Sequence, residues 1–403
     1  MSSPTSSTAE ATTERLPLAA LLALAMTGFI CIVTETLPAG LLPQISQGLD
    51  VSASLAGQTV TAYAFGSVLA AIPLTIATRG WRRRSVLLLT ILGFLVFNSI
   101  TALSSNYWLT LAARFFAGVA AGLAWSLLAG YARRMVQPHQ QGRAMAVAMI
   151  GTPIALSLGV PLGTWLGGAV GWRSAFGIIS ALTLVLIVWV LAKVPDYPGQ
   201  SGRERMALRK VFTTPGVRPV LATVMAWMLA HNILYTYVAP FVAQAGLLDR
   251  VDVILLVFGA AALMGIGLIG RLVERHLRSA VLACLATFFI VSLLFIWLAT
   301  VPAAVYIGVA VWGLTFGGAA TLLQTALADT AGDGADVALS MNVVAWNSVI
   351  AGGGILGGVL LDRWGAHTFP WALIVLLAIG LLIAWSAKAH GFRPGPRTHS
   401  AGH

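Results

Sequence analysis

The sequence predicts an all-α membrane protein whose twelve transmembrane helices form two six-helix, pseudo-symmetric halves. Of its 403 residues, 58% are hydrophobic and only 9% are charged, whereas a soluble domain has roughly 25% charged residues. Mean hydropathy is +0.87. The apolar residues lie in segments close to the ~20 residues that a helix needs to cross the hydrocarbon. A long polar interval divides these segments into six and six.

Twelve apolar segments follow one another along the chain. They lie at 17–43, 53–78, 85–104, 106–131, 144–169, 174–194, 219–245, 252–273, 279–300, 303–328, 337–361 and 368–388. The first is too long for the apolar region of a signal peptide, and more segments follow it, so we expect it to stay as a helix. An even number of spans places both termini on one side of the membrane.

The division of the chain follows from the polar interval at 195–218, which is rich in Pro, Gly and charged residues. Glycine-rich faces recur in the fifth and eleventh segments, which indicates an internal duplication. We therefore expect five regions. These are a disordered cytoplasmic tail at 1–16, an N-terminal half at 17–194, a cytoplasmic linker at 195–218, a C-terminal half at 219–388 and a cytoplasmic tail at 389–403.

Basic residues gather on one side of the predicted bundle. If the termini are cytoplasmic, the opposite loops hold only Arg173, Arg250 and Arg363. This positive-inside pattern predicts a multi-pass protein of the bacterial cytoplasmic (inner) membrane with both termini in the cytoplasm. It also accounts for the formal net charge of +11, so we expect contact with the lipid bilayer and no nucleic-acid partner.

Glu35 stands in the apolar run 29–38 and is the only carboxylate well within a predicted span. An ionisable group at this depth costs free energy unless it is paired or hydrated, and it usually serves transport or proton transfer. Arg114 lies in the outer part of the fourth segment, which runs in the opposite direction, so the depths of the two residues match. The pair predicts either a proton-coupling site or a buried ion bridge that fixes helix packing, unless Glu35 extends to the outer interface.

Three short runs resemble motifs of the major facilitator superfamily. The run 270–275, Gly-Arg-Leu-Val-Glu-Arg, is similar to the family's cytoplasmic loop motif Gly-x-Leu-Ala-Asp-Arg, with Glu in place of Asp. The run 114–118, Arg-Phe-Phe-Ala-Gly, resembles its fourth-helix motif. The run 159–163, Gly-Val-Pro-Leu-Gly, followed by Gly-Trp-Arg at 171–173, resembles its fifth-helix antiporter motif. The resemblance covers essentially the whole chain.

Within that family, the runs 34–43 and 55–58 are similar to the drug/proton antiporter branch, which includes bacterial sugar and purine-nucleoside exporters. The loop after the second segment is the counterpart of the run 270–275 in the first half. It departs from the family motif, since Thr78 replaces an Asp and Trp81 replaces a Gly. The acidic half of the usual charge latch between the halves is therefore missing there. We expect Glu274 to carry it instead.

The resemblance implies a secondary active transporter that works by alternating access around a central cavity. The expected activity is proton-coupled antiport that exports a small neutral or weakly cationic organic compound, such as a sugar, nucleoside or drug. Glu35 and Arg114 would be the proton-coupling residues. The alternative is a passive facilitator or importer of the same fold, which needs no titratable group at depth.

Other candidate residues have weaker sequence support. His231, in the middle of the seventh segment, predicts a proton relay, a substrate contact or a hydrogen-bonded packing position. Amides and aromatic residues within spans suit a neutral substrate, although such residues also join helices to one another. The candidate substrate cavity comprises Gln58, Thr61, Tyr63, His231, Asn232, Tyr235, Gln324, Asn342, Trp346 and Asn347. The candidate cytoplasmic gate comprises Arg79, Arg83, Gly270, Glu274 and Arg275, and the antiporter motif Gly159, Pro161 and Gly163.

Enzymatic and ATP-driven functions lack their motifs in this sequence. No Lys follows a Gly, so the Gly-Lys-Ser/Thr pattern of a phosphate loop is absent, and so is His-Glu-x-x-His. Cys31 and Cys284 lie in apolar spans and lack metal-ligand spacing. We expect no enzyme activity, no cofactor and no metal. The expected partners are a small-molecule substrate, protons and lipid, with the protein as a monomer.

Overall fold

The computed structural model describes residues 16–199 and 208–395. Within these ranges the chain is almost wholly helical and contains no strand. The predicted N-terminal tail lies outside the described residues except for Leu16, as do 200–207 of the predicted linker and 396–403 of the predicted C-terminal tail.

Six long helices form the first half. They are α1 (Leu18–Gly40), α2 (Ala53–Ala77), α3 (Arg83–Leu103), α4 (Tyr107–Arg134), α5 (Pro138–Val170) and α6 (Trp172–Lys193). A separate helix, Leu42–Leu49, follows α1. The first helix, Leu18–Gly40, is therefore shorter than the predicted span of 17–43. Within α5 the residues Ala155–Gly159 form a π-helical turn.

The second half begins with a short helix, Leu208–Phe212, and then α7 (Val217–Thr236), which Val238–Ala243 extends. A single helix, Val251–Leu298, follows; non-helical backbone at His276 (φ −133°, ψ 30°) divides it into α8 (251–275) and α9 (277–298). The loop expected between the predicted spans 252–273 and 279–300 is thus reduced to one non-helical residue. The half ends with α10 (Pro302–Gly317, continued by Ala319–Ala331), α11 (Ala335–Trp364) and α12 (Phe369–Ser386).

The number of spans confirms the prediction of twelve. Among the described residues, 11 helical stretches are long and apolar enough to cross a membrane. One of them, Leu248–Leu298, has 51 residues. At ~1.5 Å per residue it is more than twice as long as the ~30 Å hydrocarbon core, so it supplies two spans.

The same packing pattern occurs in both halves. Helix α2 packs on α4, α3 on α6 and α1 on α5; correspondingly, α8 packs on α10, α9 on α12 and α7 on α11. The two halves meet where α2 contacts α11 and where α5 contacts α8. Cavities between the halves lie beside these two contacts. The twelve-helix architecture in two pseudo-symmetric halves is therefore as predicted.

Glycines four residues apart allow the closest of these contacts. Gly118 and Gly122 of α4 lie against the backbone of α2, and Gly313 and Gly317 of α10 lie against the backbone of α8. A Cβ atom at any of the four positions would overlap a backbone carbonyl group of the neighbouring helix. Small residues at this spacing are the usual means by which membrane helices approach closely. Their recurrence shows that the duplication extends to the packing.

Hydrogen bonds between loops define the two ends of the bundle. At one end, the Tyr131 hydroxyl donates to the backbone oxygen of Pro195 at 2.7 Å. At the other end, Arg173 donates to the backbone oxygens of Ser104 (3.0 Å) and Gly48 (3.1 Å). We call the end that carries residues 195–199 the linker face and the opposite end the far face.

Part of the predicted C-terminal tail packs against the bundle at the linker face. Arg278, just after the break at His276, donates to the backbone oxygens of Ala384 (2.9 Å) and Phe392 (3.0 Å). The Phe392 side chain is fully buried. Phe392 is therefore fixed to α9 and α12.

Candidate functional site

Glu35 lies towards the far end of α1, and its side chain is buried. The antiporter-motif glycines of α5 hold this part of α1 in place. A Cβ atom at Gly159 would overlap the side chains of Phe29 and Val33, and one at Gly163 would overlap Leu37. The glycine face of α5 thus brings α1 close to it on both sides of Glu35.

Arg114 links three helices of the first half. It is 0% exposed, its Nε donates to the backbone oxygen of Thr59 in α2 at 3.2 Å, and its Nη2 donates to the backbone oxygen of Glu35 at 3.4 Å. Its Nη1 is buried without a hydrogen-bond partner. The contact between the two predicted coupling residues is therefore at the Glu35 carbonyl group, and the carboxylate is left for another partner.

Aromatic rings complete the surroundings of Arg114. Its guanidinium carbon lies 4.9 Å from the ring centroid of Tyr63 and 5.6 Å from that of Phe176, distances at which the face of a ring attracts a cation. The Tyr63 hydroxyl donates to the backbone oxygen of Cys31 at 2.9 Å. Tyr63 is thus part of the scaffold around Arg114, and Phe176 is a member that the sequence did not indicate.

A second polar pair lies beside Glu35 and was also missed. Asn98 of α3 is 0% exposed, and its Nδ2 donates to the Thr34 hydroxyl at 3.0 Å. Its Oδ1 atom is buried without a partner. An Asn within an apolar span is itself a signal for such a contact, because a buried amide must find hydrogen bonds.

His231 of α7 lies in an aromatic cluster in the second half. Its Nδ1 atom accepts a hydrogen bond from Trp312 Nε1 at 3.2 Å, so the neutral imidazole carries its proton on Nε2. The Phe316 ring stacks on the imidazole, with ring centroids 3.7 Å apart and an angle of 8° between the ring planes. The centroid of the Tyr235 ring lies 5.3 Å from that of His231. This is the geometry of the packing position that the sequence left open beside the relay and substrate roles.

Tyr235 joins this cluster to α1. Its hydroxyl group is buried, approaches Thr36 and lies within electrostatic reach of Glu35. It makes no hydrogen bond of acceptable geometry. The polar groups of the two halves therefore face each other here, with an unpartnered hydroxyl beside the buried carboxylate.

Gln58 takes part in a network that closes the bundle towards the far face. Its Nε2 donates to the backbone oxygen of Gly354 at 3.1 Å and to the Tyr237 hydroxyl at 3.3 Å. The Tyr237 hydroxyl donates to the same Gly354 oxygen at 2.7 Å. Thr61 lies directly against Gly354. These contacts join α2 to α11, and Tyr237 was not anticipated from the sequence.

The other predicted cavity residues are more dispersed. Asn232 donates to the Met228 backbone oxygen at 2.7 Å and Asn347 to that of Val343 at 3.0 Å, both within their own helices. Gln324 is exposed. The remaining two are Asn342, which is buried with an unpartnered Oδ1, and Trp346, which packs against the α2–α11 contact.

The gate residues lie towards the linker face. Arg79 lines a cavity of about 190 Å³ between α2, α4 and α11. Arg83 donates from Nη2 to the backbone oxygen of Arg79. On α8, Glu274 and Arg275 are exposed, and Gly270 faces open space.

An acid from the linker occupies the turn where Thr78 replaces the family's Asp. Asp196 accepts hydrogen bonds from Arg82 Nε (2.5 Å) and from the backbone N–H of Arg84 (3.1 Å). Thr78 donates to its own helix at Leu74. Partial desolvation acts to raise the pKa of Asp196, but the hydrogen bonds and charges of Arg82 and Arg84 outweigh it and hold this pKa below its ordinary value of 3.8.

Comparison with known families gives one match that spans most of the chain. The sequence pattern of the Major Facilitator Superfamily matches residues 24–354. A solved structure, a bacterial homolog of the human lysosomal transporter Spinster in an inward-facing and unoccupied conformation, covers 94% of this chain and 98% of its own. Its TM-score is 0.72 at 12% identity, so this likeness concerns the fold alone.

Curated relatives have named activities. A probable sugar efflux transporter of Haemophilus influenzae is 27% identical over 372 residues, which are 92% of this chain and 94% of that protein. One of Helicobacter pylori is 25% identical over 356 residues, covering 87% of this chain and 90% of its own. A purine ribonucleoside efflux pump of Shigella sonnei is 28% identical over 354 residues, covering 86% and 89%.

Proposed function

The chain belongs to the Major Facilitator Superfamily of transporters, and we propose that within this family it exports a small neutral or weakly cationic organic compound in exchange for protons. The observation that carries the proposal is Glu35. Glu35 is the only buried acidic residue among those that the structure describes. It lies where α1 faces the second half. A carboxylate kept at this depth serves proton transfer more often than packing.

The surroundings of Glu35 suit a site that proton and substrate occupy in turn. Arg114 donates hydrogen bonds to the backbone oxygens of Glu35 and Thr59, so its charge is held close to the Glu35 carboxylate. This charge stabilises the ionised carboxylate without a hydrogen bond to it. The carboxylate is then available for a proton or for a donor group of the substrate. Tyr235 supplies a hydroxyl from the other half that would reach it when the halves move.

The contacts between the halves support alternating access. Towards the far face, Gln58, Tyr237 and Gly354 bind α2 to α11, whereas towards the linker face the cavity beside Arg79 separates α2 from α11. In the proposed cycle, substrate enters from the linker face and displaces the proton of Glu35. The halves then rock, and protonation from the far side favours release.

The proposed substrate class rests on the amide and aromatic side chains of the predicted cavity and on the relatives. Amides and aromatic side chains such as Asn342, Trp346 and Tyr235 favour a neutral compound over an anion. Relatives covered almost to their full length are named for sugar and purine ribonucleoside efflux. We propose a sugar, a nucleoside or a compound of similar polarity.

The orientation proposed for the protein follows its charges. The far face carries few basic residues, whereas the linker face carries many, among them Arg79, Arg83, Arg271 and Arg275. The positive-inside bias places the linker face, and with it both termini, in the cytoplasm of a bacterium, in its inner membrane. Each half completes its packing within one chain, and we propose that the transporter works as a monomer.

Efflux into inverted vesicles tests this function. Vesicles that contain the protein are given an imposed pH gradient and a panel of radiolabelled sugars and nucleosides. We expect the vesicles to take up at least one of these compounds, and we expect a protonophore to abolish that uptake. Uptake that is indifferent to the gradient would instead support a passive facilitator.

A further inference from the structure

A cavity of about 510 Å³ lies between the halves at the far face, where α1 and α5 end and α8 begins. It does not include the proton site or the α2–α11 contact described above. Its volume falls within the range of roughly 300–1,000 Å³ that is typical of small-molecule sites. Its walls contain both neutral polar groups and carboxylates.

The inner wall of this cavity holds polar atoms without partners. Thr164 is 4% exposed, and its hydroxyl is buried, lies against Gly40 and makes no hydrogen bond. The Oε1 atom of Gln44 is likewise buried and unpartnered. Polar atoms left in this state are costly, so a cavity lined by two such residues favours a ligand that bonds to both.

The mouth of the cavity adds an aromatic surface and acceptors. The Trp165 side chain is 58% exposed and lines the opening. Asp249, Asp252 and Gln47 also line the cavity. Among the described residues that line the cavity there is no Lys or Arg, so an anionic ligand would find no basic side chain and would be repelled by Asp249 and Asp252.

We propose that this cavity binds a ring compound with adjacent hydroxyl groups, such as a sugar or the ribose of a nucleoside. Carboxylate and amide oxygens accept hydrogen bonds from neighbouring hydroxyls, and the Thr164 hydroxyl can both donate and accept. The indole of Trp165 offers a flat apolar surface with low rotamer entropy on which such a ring packs. Asp249 and Asp252 alone do not make a metal site, since no group of three or more His, Cys, Asp or Glu side chains that could hold a metal ion occurs among the described residues.

The cavity also has a place in the transport cycle. It opens at the far face, and its inner wall at Gly40 is five residues beyond Glu35 along α1. The compound released from the centre would bind here before it leaves. This role in release rests on the proposed export, whereas the binding itself does not.

Protection of a cysteine tests the binding. The full chain with Ala169→Cys in the cavity wall is purified in detergent, where both faces are accessible; the native Cys31 and Cys284 are buried. Its rate of reaction with a maleimide is measured with adenosine and with 2′,3′-dideoxyadenosine, which lacks the two hydroxyls. Adenosine should slow the reaction, the dideoxy compound should not, and Ser105→Cys, an exposed far-face position outside the cavity, should react equally fast in all cases.

Variants of the cavity then assign the contacts. Thr164→Val, of the same shape, and Trp165→Ala, at an exposed position, should each raise the half-protecting concentration of adenosine about tenfold, the effect of one lost hydrogen bond or stacking contact. Asp333→Asn, at an exposed position outside the cavity, should leave it unchanged. Equal protection by both nucleosides, no protection, or indifference to both cavity variants would overturn the site. Protection in a protein that exports none of the tested compounds would overturn only the proposed function.

Discussion

The guanidinium of Arg114 binds the backbone of Glu35 and not its side chain: Nη2 donates to the Glu35 carbonyl oxygen at 3.4 Å. A second donor of Arg114, Nε, donates to the backbone oxygen of Thr59 at 3.2 Å. Arg114 therefore fixes the position of α1 relative to α2 and α4 and makes no hydrogen bond to the Glu35 carboxylate.

This arrangement predicts that Arg114→Lys weakens the fold. A Lys lacks the planar fork that reaches two carbonyl oxygens, and a hydrogen bond from a charged group contributes about 1.5–3 kcal/mol. The unfolding temperature of the purified protein should fall. Arg271→Lys, at an exposed position, is the matched control, and equal unfolding temperatures for the two variants would contradict the role given to Arg114.

Two glycines of α11 test the closure towards the far face. A Cβ atom at Gly354 would overlap the Thr61 hydroxyl, whereas one at Gly352 would meet only Leu229 at an ordinary 3.5 Å. Gly354→Ala should therefore separate α2 from α11 and stop efflux, with faster hydrogen exchange at 53–61 and 350–358. Gly352→Ala should change neither. Normal efflux by Gly354→Ala would mean that this contact is not part of the cycle.

Asp196 predicts a pH-dependent contribution to stability. Because its pKa is lower in the folded protein than in the unfolded chain, its contacts stabilise the fold above the ordinary carboxyl pKa, and this contribution is lost as the pH falls through the lowered value. Asp196→Asn should lower the unfolding temperature at neutral pH and have no effect at acidic pH. The effect should be small and salt-sensitive, since the Arg82 side chain is 68% exposed. Asp333→Asn, exposed in a turn, is the control; the same pH profile for both variants would contradict the stabilising role of Asp196.

Cysteine labelling in cells tests the orientation. Arg271→Cys at the linker face should react with an impermeant maleimide only in opened cells or inverted vesicles, and Ser105→Cys at the far face should react in intact cells. Both positions are exposed. Reversal of either result would place the termini outside the cytoplasm and invert the proposed direction of transport.

The sequence allowed the spans and their division into two sets of six to be predicted because hydropathy is a local property. It also placed a break between 273 and 279, where the backbone departs from helix at His276. It gave no sign of the π turn at Ala155–Gly159, because a π turn leaves the hydropathy of the segment unchanged. Glu35 and Arg114 could be found because charges in apolar segments are rare. Their contact through a carbonyl group could not, because every backbone has one. Tyr237 and Thr164 were missed because a hydroxyl gains its meaning only from helices distant in sequence.

The proton-coupled exchange at Glu35 is tested most directly by Glu35→Gln in inverted vesicles, with the compound that the efflux panel identifies. The amide keeps the shape of the side chain and removes only its titration. We expect substrate exchange without a gradient to persist, accumulation driven by a pH gradient to disappear, and Asp333→Asn to behave like the unmodified protein. Undiminished gradient-driven accumulation by Glu35→Gln would contradict the account, because the coupled proton would then bind elsewhere.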